Sequence, residues 1–345
     1  MNLELSALEI IEGRKKAPLC LFALRAAGHF MEAGVHLRHF AYDQNLFATH
    51  RVSTPVMSVG NILAGGCGKT PFICFLSEKL AKTGKIAILT RGYRSQAEKE
   101  TKPRLVQEED DAALCGDEAL LLKRKFPHID VIAGRDRVAG ALAAEERGAK
   151  LILLDDGMQH RALHRDVEFV LLPASDPLGE GPWKKSSFLP GGLLRDSPRR
   201  LGAADLLVFT GVAEEEEFLS LQKRVAPYSS APVVGMKERL LHGEKIAGKK
   251  IALFCGIARP QRLISAVEAL GCEIVHLELS PDHLPLPSLA LFEERAQQKG
   301  ADCLVCTEKD VVKMPPNSFV VLGVELVPAF LEHNLDSLLK RFLFL

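Results

Sequence analysis

From Val56 onward, short apolar runs alternate with longer stretches in which apolar residues recur every three or four positions. The runs Val56–Val59, Ile86–Leu89, Asp130–Ala133, Leu151–Leu154, Val167–Leu172 and Leu206–Phe209 read as strands. Between them, Thr70–Thr83, Asp117–Phe126, Arg135–Arg147 and Glu214–Val225 read as helices. This alternation predicts an α/β fold, a mostly parallel sheet with helices on both faces, over residues 46–226. The pattern then loosens. Pro227, Ser229, Ser230 and Pro232 open a stretch of short extended segments and polar turns, and 227–249 reads as a linker. A second, smaller α/β domain is predicted over 250–345. Its strands are Lys250–Cys255, Glu273–Glu278, Cys303–Cys306 and Phe319–Val324; its helices are Arg259–Leu270, Ser288–Lys299 and Ala329–Phe342.

Residues 1–45 precede both domains. Ala17 to Ala41 carries Leu19, Phe22, Leu24, Phe30 and Met31, but also Arg25, His29, Glu32, His36, Arg38 and His39. That is too polar to cross a membrane, which takes about 20 apolar residues. It predicts an amphipathic helix. With Arg14, Lys15 and Lys16 ahead of it, the helix suits the interface of an anionic bilayer; packing on its own domain is the other reading. Met1 is followed by Glu4, Glu9 and Glu12, not by the basic start of a signal peptide.

Composition narrows the partners. The 345 residues suffice for about two domains. The 44 basic and 44 acidic residues balance, so no global positive field argues for nucleic acid. Eight cysteines lie without the close, even spacing of a disulfide framework, which points to a reducing cytosol. Cys303 and Cys306 form a C-x-x-C in a strand-like run, where residues three apart face opposite sides, so core packing is expected there.

The candidate chemistry starts at Val56-Met-Ser-Val-Gly60-Asn-Ile-Leu-Ala-Gly65-Gly66-Cys67-Gly68-Lys69-Thr70-Pro71, an apolar strand, a glycine-rich loop and a Gly-Lys-Thr opening a helix. Such a loop turns backbone N–H groups onto phosphate oxygens, while the lysine reaches the β/γ-phosphates and the threonine hydroxyl serves Mg²⁺. The usual P-loop pattern has glycine where this chain has Leu63, so Gly65 and Gly66 are expected to do the tight turning. Asp155 and Asp156 close the apolar run Ile152-Leu-Leu, as the Mg²⁺-holding acids of P-loop enzymes do. Asp117 and Glu118 stand at a helix start, where they are either caps or, if that start faces the phosphates, a proton acceptor and a metal ligand. Arg91, Arg94, Arg135, Arg137 and Arg195 lie in loops after strands and are candidates for an anionic acceptor or the transferring phosphoryl. His283, after another strand, is a candidate partner for Asp117 across a domain cleft.

Taken in order, these segments resemble the tetraacyldisaccharide 4′-kinases, the lipid A 4′-kinases of Gram-negative bacteria. The resemblance rests on Val59-Gly-Asn61 with Gly65-Gly-Cys-Gly-Lys-Thr-Pro71, Leu89-Thr-Arg-Gly-Tyr93, Gly116-Asp-Glu-Ala-Leu120 and Arg135-Asp-Arg137. It continues through Leu154-Asp-Asp-Gly-Met-Gln-His160, Leu189-Pro-Gly-Gly-Leu-Leu-Arg195, Pro281-Asp-His283 and Thr307-Glu-Lys-Asp310. It implies ATP-dependent phosphorylation of the 4′-hydroxyl of a tetraacylated glucosamine disaccharide 1-phosphate by a monomer at the cytoplasmic face of the inner membrane. It further implies a P-loop NTPase-like domain and a smaller domain that closes over the nucleotide. ATP would then be held by Asn61, Gly65, Gly66, Cys67, Gly68, Lys69, Thr70 and Pro71, and Mg²⁺ by Thr70, Glu118, Asp155 and Asp156. Asp117 with His283 would form the catalytic base beside Lys69, and Arg91, Tyr93, Arg135, His160 and Arg195 would meet the substrate. Two residues depart from the family pattern: Cys67 stands for the usual Thr, and Asp196 for a Glu. The residues by themselves leave two other readings open, a soluble P-loop ATPase or nucleotide switch and a membrane-anchored nucleotide-binding scaffold. Against the first, such switches often carry a lysine before the glycine pair, where this chain has Ala64.

Overall fold

A computed structural model describes residues 18–181, 186–257, 260–280, 288–314, 319–331 and 335–343. In chain order its elements begin with α1 (Pro18–Asp43), β1 (Val56–Gly60), α2 (Lys69–Leu80), β2 (Ile86–Thr90), β3 (Arg104–Leu105), α3 (Ala112–Cys115), α4 (Asp117–Lys125), β4 (Asp130–Ala133) and α5 (Arg137–Glu146). Next come β5 (Leu151–Asp155), β6 (Val167–Pro173), β7 (Leu206–Thr210), α6 (Glu215–Val225), β8 (Val233–Leu241) and β9 (Lys250–Cys255). The last are α7 (Pro260–Ala269), β10 (Glu273–Leu279), α8 (Leu289–Gln298), β11 (Cys303–Thr307), α9 (Glu308–Val311), β12 (Val320–Leu331) and α10 (Leu335–Leu343).

Contacts gather the described residues into two compact units, one drawn from Met1–Ile86, Glu145–Glu238 and Leu326–Leu345, the other from Ala87–Ala144 and Arg239–Glu325. The boundaries read from the sequence, 46–226 and 250–345, do not coincide with these units. The stretch 87–144 joins the second unit because α4 makes ion pairs with the start of α9: Lys125 with Glu308 at 3.3 Å and Glu118 with Lys309 at 3.1 Å. The expected linker 227–249 contains β8, whose first half is buried. The strand expected at Phe319–Val324 runs on to Leu331 as β12, so the helix expected from Ala329 starts at Leu335.

In the first unit the strands lie in the order β8-β7-β6-β1-β5, every pair parallel. β1, β5, β6 and β7 are buried along their whole length. A parallel sheet covered on both faces demands this, which explains the continuous apolar runs without alternation. Phe72 of α2 meets Phe169 of β6 edge-on at 5.8 Å, and Phe342 of α10 meets the same ring at 5.7 Å. Large side chains of this kind contribute about 1.5–3 kcal/mol each when fully buried. Because β1 lies between β5 and β6, the loops leaving their C-terminal ends share one rim, the usual ligand side of such sheets.

The second unit holds the parallel strands β10-β9-β11-β12 and the group β2-β4-β3, in which β3 runs antiparallel. Cys303 packs against the apolar cluster on one side of β11 and Cys306 belongs to the cluster on the other, as their spacing predicts.

Helix α1 packs on the first unit with one face only. A Cβ at Gly28 would stand 2.7 Å from the Phe188 carbonyl oxygen, and one at Gly191 would stand 2.5 Å from the Arg25 Cα, so helix and loop meet backbone to backbone. On its outer face Leu19, Phe22, Phe30, Leu37 and Phe40 recur at helical spacing, with Leu19 85%, Phe22 74%, Phe30 82% and Leu37 69% exposed. Among the described residues no helix is long and apolar enough to cross a membrane.

Candidate active site

In the first unit the glycine-rich loop joins β1 to α2. Gly65 (φ 95°) and Gly68 (φ 78°) take the left-handed turns, whereas Gly66 has no such φ and nothing within 4 Å of its Cβ position. The expectation that Gly65 and Gly66 do the turning is therefore corrected: Gly68, as the N-cap of α2, takes the second turn. A Cβ on Gly68 would also press on the Thr210 Cγ2 at 3.2 Å, while the Thr210 hydroxyl donates to the Cys67 carbonyl at 3.2 Å. The loop is thus seated on the end of β7. Leu63, where the usual pattern has glycine, is fully buried and bridges to Leu194; Ala64 N–H donates to the Leu193 carbonyl at 2.7 Å and Arg195 N–H to the Ile62 carbonyl at 2.8 Å. Leu63 anchors the loop to the segment that carries Arg195. The first turn of α2 presents free N–H groups, and Pro71, which has none to offer, suits that turn.

The side chains of this rim form one network. Lys69 Nζ lies 3.4 Å from an Asp156 oxygen and 3.5 Å from Asn61 Oδ1. Arg195 grips Asp156 with both terminal nitrogens, at 2.9 and 2.7 Å, and also donates to Asn61 Oδ1. Asn61 is fully buried; its side-chain amide donates to the Leu63 carbonyl at 2.8 Å and to Cys67 Sγ at 2.7 Å, and its backbone carbonyl accepts from Gln159 at 2.8 Å. Asp156 takes a left-handed φ of 52°, a conformation Asp tolerates better than most residues. Burial opposes ionisation of Asp156, but the charges of Lys69 and Arg195 outweigh it and hold the carboxyl well below the usual range. Asp155 instead stays buried at the end of β5, in register with Val59.

The second unit places Asp117 at the start of α4, buried, with its Oδ1 accepting the Glu118 N–H at 3.0 Å. Gly116 makes this start possible. Its φ of 94° with ψ of 147° is a region open essentially to glycine, and a Cβ there would lie 3.1 Å from the Gly92 backbone. Gly116→Ala is expected to cost at least about 1–3 kcal/mol, read as a lower midpoint in urea unfolding. Lys309 Nζ stands 3.1 Å from Glu118 and 4.0 Å from Asp117. The turn bearing Lys309 is braced by buried Asp310, which accepts from the Thr307 hydroxyl at 2.7 Å, Gly256 N–H at 3.1 Å and Lys313 at 2.9 Å. Following Gly92, exposed Tyr93 lies between Arg91 (6.0 Å) and Arg94 (5.4 Å).

The expected nucleotide residues Asn61 and Gly65 to Pro71 thus assemble in one unit with Lys69, Asp156 and Arg195, and Asp117 with Glu118 in the other. His160 is half-buried on the first unit, and Arg135 is exposed on the second. His283 lies outside the described residues. Local pattern assigns no role to Gln159, His39, Thr210 or Lys309, since each acts on a residue remote in the chain. Asp196, which stands for a Glu, is buried and bonded to His39 at 2.8 Å.

Residues 20–343 match the family model described as tetraacyldisaccharide-1-P 4′-kinase, LpxK. Proteins named tetraacyldisaccharide 4′-kinase from Chlamydia abortus (37% identical, covering 77% of this chain and 74% of that one) and Syntrophus aciditrophicus (34%, covering 88% and 86%) are similar to it. So is the crystal structure of LpxK from Aquifex aeolicus in complex with ATP, with a TM-score of 0.72, 26% identity and coverage of 94% of this chain and 99% of that one. The family match spans nearly all of a chain whose loop, strand ends and helix starts carry the motifs just described, and the chain belongs to the tetraacyldisaccharide-1-P 4′-kinase family.

Proposed function

We propose that the rim of the first unit holds ATP and that Asp117 takes the proton of the acceptor hydroxyl. As a member of its family the chain is an ATP-using kinase of lipid A biosynthesis, acting at the 4′-position of a tetraacylated disaccharide 1-phosphate. The observation that carries the reading is the cluster of Lys69 and Arg195 over the glycine-rich loop, two cations beside the free N–H groups of a helix start. Lys69 reaches the β/γ-phosphates and Arg195 neutralises charge developing on the transferred group. The 4′-oxygen bonds to the γ-phosphorus as the bond to ADP breaks, and Asp117 accepts the proton that leaves that oxygen. His283 is the proposed partner of Asp117, and Arg91, Tyr93, Arg135 and His160 are the proposed contacts to the sugar and its phosphate.

Among the described residues no group of three or more His, Cys, Asp or Glu gathers as a metal cage. Mg²⁺ on a nucleotide needs no such cage, because one or two protein oxygens complete a shell of phosphate and water. Thr70 in the first turn of α2 and Asp155 at the end of β5 fit that demand. Asp156, bound to two cations, fits the role of their counter-ion; Glu118, paired with Lys309 at 3.1 Å, would offer a further oxygen ligand. Bound there, the metal would neutralise charge on the β- and γ-phosphates.

The outer stripe of α1 supports a bilayer contact, a peripheral place at the cytoplasmic face of the inner membrane where the acyl chains of the substrate lie. Substituting Phe22, Phe30 and Leu37 together by Ser is expected to weaken binding to vesicles of phosphatidylethanolamine and phosphatidylglycerol by at least about tenfold, read by co-sedimentation. The kinase reading itself is tested by ADP release: turnover is expected to require the lipid disaccharide, and turnover indifferent to it would favour a plain ATPase.

A further inference from the structure

We propose that His39, on the helix whose outer stripe is apolar, is a positioning residue of the ATP site, acting through Asp196 on Arg195. His39 is buried, and its two ring nitrogens have different partners. Arg161, which can only donate, lies 3.3 Å from Nδ1, so Nδ1 accepts and the proton sits on Nε2. Nε2 donates to Asp196 Oδ1 at 2.8 Å. That oxygen also accepts the Ser197 N–H at 2.8 Å, and the Asp196 N–H bonds back to the Ile62 carbonyl at 3.2 Å.

Asp196 is the neighbour of Arg195; its backbone N–H is tied to the Ile62 carbonyl before the glycine-rich loop, and its side chain is tied to α1 through His39. Arg195 in turn holds Asp156 and Asn61, the two groups beside Lys69. A second tie runs in parallel: the Arg38 guanidinium donates to the Gln159 carbonyl, and the Gln159 amide donates to the Asn61 carbonyl at 2.8 Å. Arg161 closes the arrangement by donating to the His39 carbonyl at 3.1 Å and to Asp43 at 2.7 Å. Two consecutive residues of α1 therefore reach the loop by separate routes. Both routes converge on Asn61, so the seating of α1 sets the geometry of the phosphate-binding cations.

The inference rests on the reading of the glycine-rich loop as the ATP site. Steady-state kinetics of the full chain with His39→Ala should show the KM for ATP raised by about tenfold, with the KM for the lipid disaccharide within about twofold of the parent. His39→Gln keeps an N–H aimed at Asp196 and should restore most of the loss. In the Arg195→Ala background His39→Ala should have little further effect, since the path is already broken. An unchanged KM for ATP in His39→Ala, or effects that multiply in the double variant, would overturn the proposal. Should His39→Ala fail to fold, His39→Phe fills the same buried space without a donor and carries the same expectation. Lys69→Ala measured alongside separates the two ideas: an inactive Lys69→Ala with a neutral His39→Ala sinks this inference alone, whereas an active Lys69→Ala sinks the ATP reading.

Discussion

Lys69→Ala is expected to lower phosphoryl transfer by at least about 10²–10³-fold, the loss that follows removal of one fixed charge donor from a transition state. Lys69 sits in the first turn of α2, directly after Gly68, whose left-handed φ aims the turn at the rim. Its ammonium rests between Asp156 and Asn61, 3.4 and 3.5 Å away, so it is held in place without being buried. The fold should tolerate its loss. Asp156 keeps its two-pronged contact with Arg195, and the Asn61 amide keeps its bonds to Leu63 and Cys67. The thermal midpoint of the variant should therefore stay near that of the parent while rate is lost. Full activity in ADP-release assays would remove Lys69 from the mechanism.

Asp117→Asn is the second large effect, a fall of about 10²–10⁴-fold in kcat, the range typical of a general base. Asparagine preserves the shape and the acceptor oxygen that receives the Glu118 N–H, so the start of α4 should stand. What vanishes is the capacity to take a proton. The KM for ATP should move little, because the residues proposed to grip phosphate, all in the first unit, are untouched. An Asp117→Asn chain that turns over at the parent rate would reduce Asp117 to a helix cap, the ordinary role of an acid in that position.

Much of this was legible in local pattern. The strands of the first unit are buried on both faces, so their apolar runs stand out, and the Gly-Lys-Thr expected to open a helix does open α2. β12 was cut short because Pro328 and Ala329 inside Val320–Leu331 resemble the opening of a helix. The segment 233–241 reads as short extended segments and turns of a linker because only its first half is buried and its second half carries Lys237, Glu238 and Arg239. The assignment of 87–144 to the second unit depends on pairs such as Glu118–Lys309, 191 positions apart, which no periodicity records. The same holds for Asp156 and Arg195: both were singled out, yet their embrace across 39 positions appears only in the fold. At Gly66 a glycine in a loop suggests a turn, whereas the structure leaves clear space beside its backbone.

The carboxylate of Asp156 between Lys69 and Arg195 has a consequence for which anions the loop admits. Two cations facing the rim would by themselves attract any phosphate ester or inorganic anion. With Asp156 ionised between them, a newcomer must outcompete a carboxylate already in contact with both. A singly charged group gains little from that exchange, whereas a polyphosphate, bringing several charges at once to the helix start and the lysine, gains much. On the proposed reading of this loop as the ATP site, Asp156 would act as an ion-exchange filter, biasing the loop toward the tail of a nucleoside triphosphate over the abundant small anions around it.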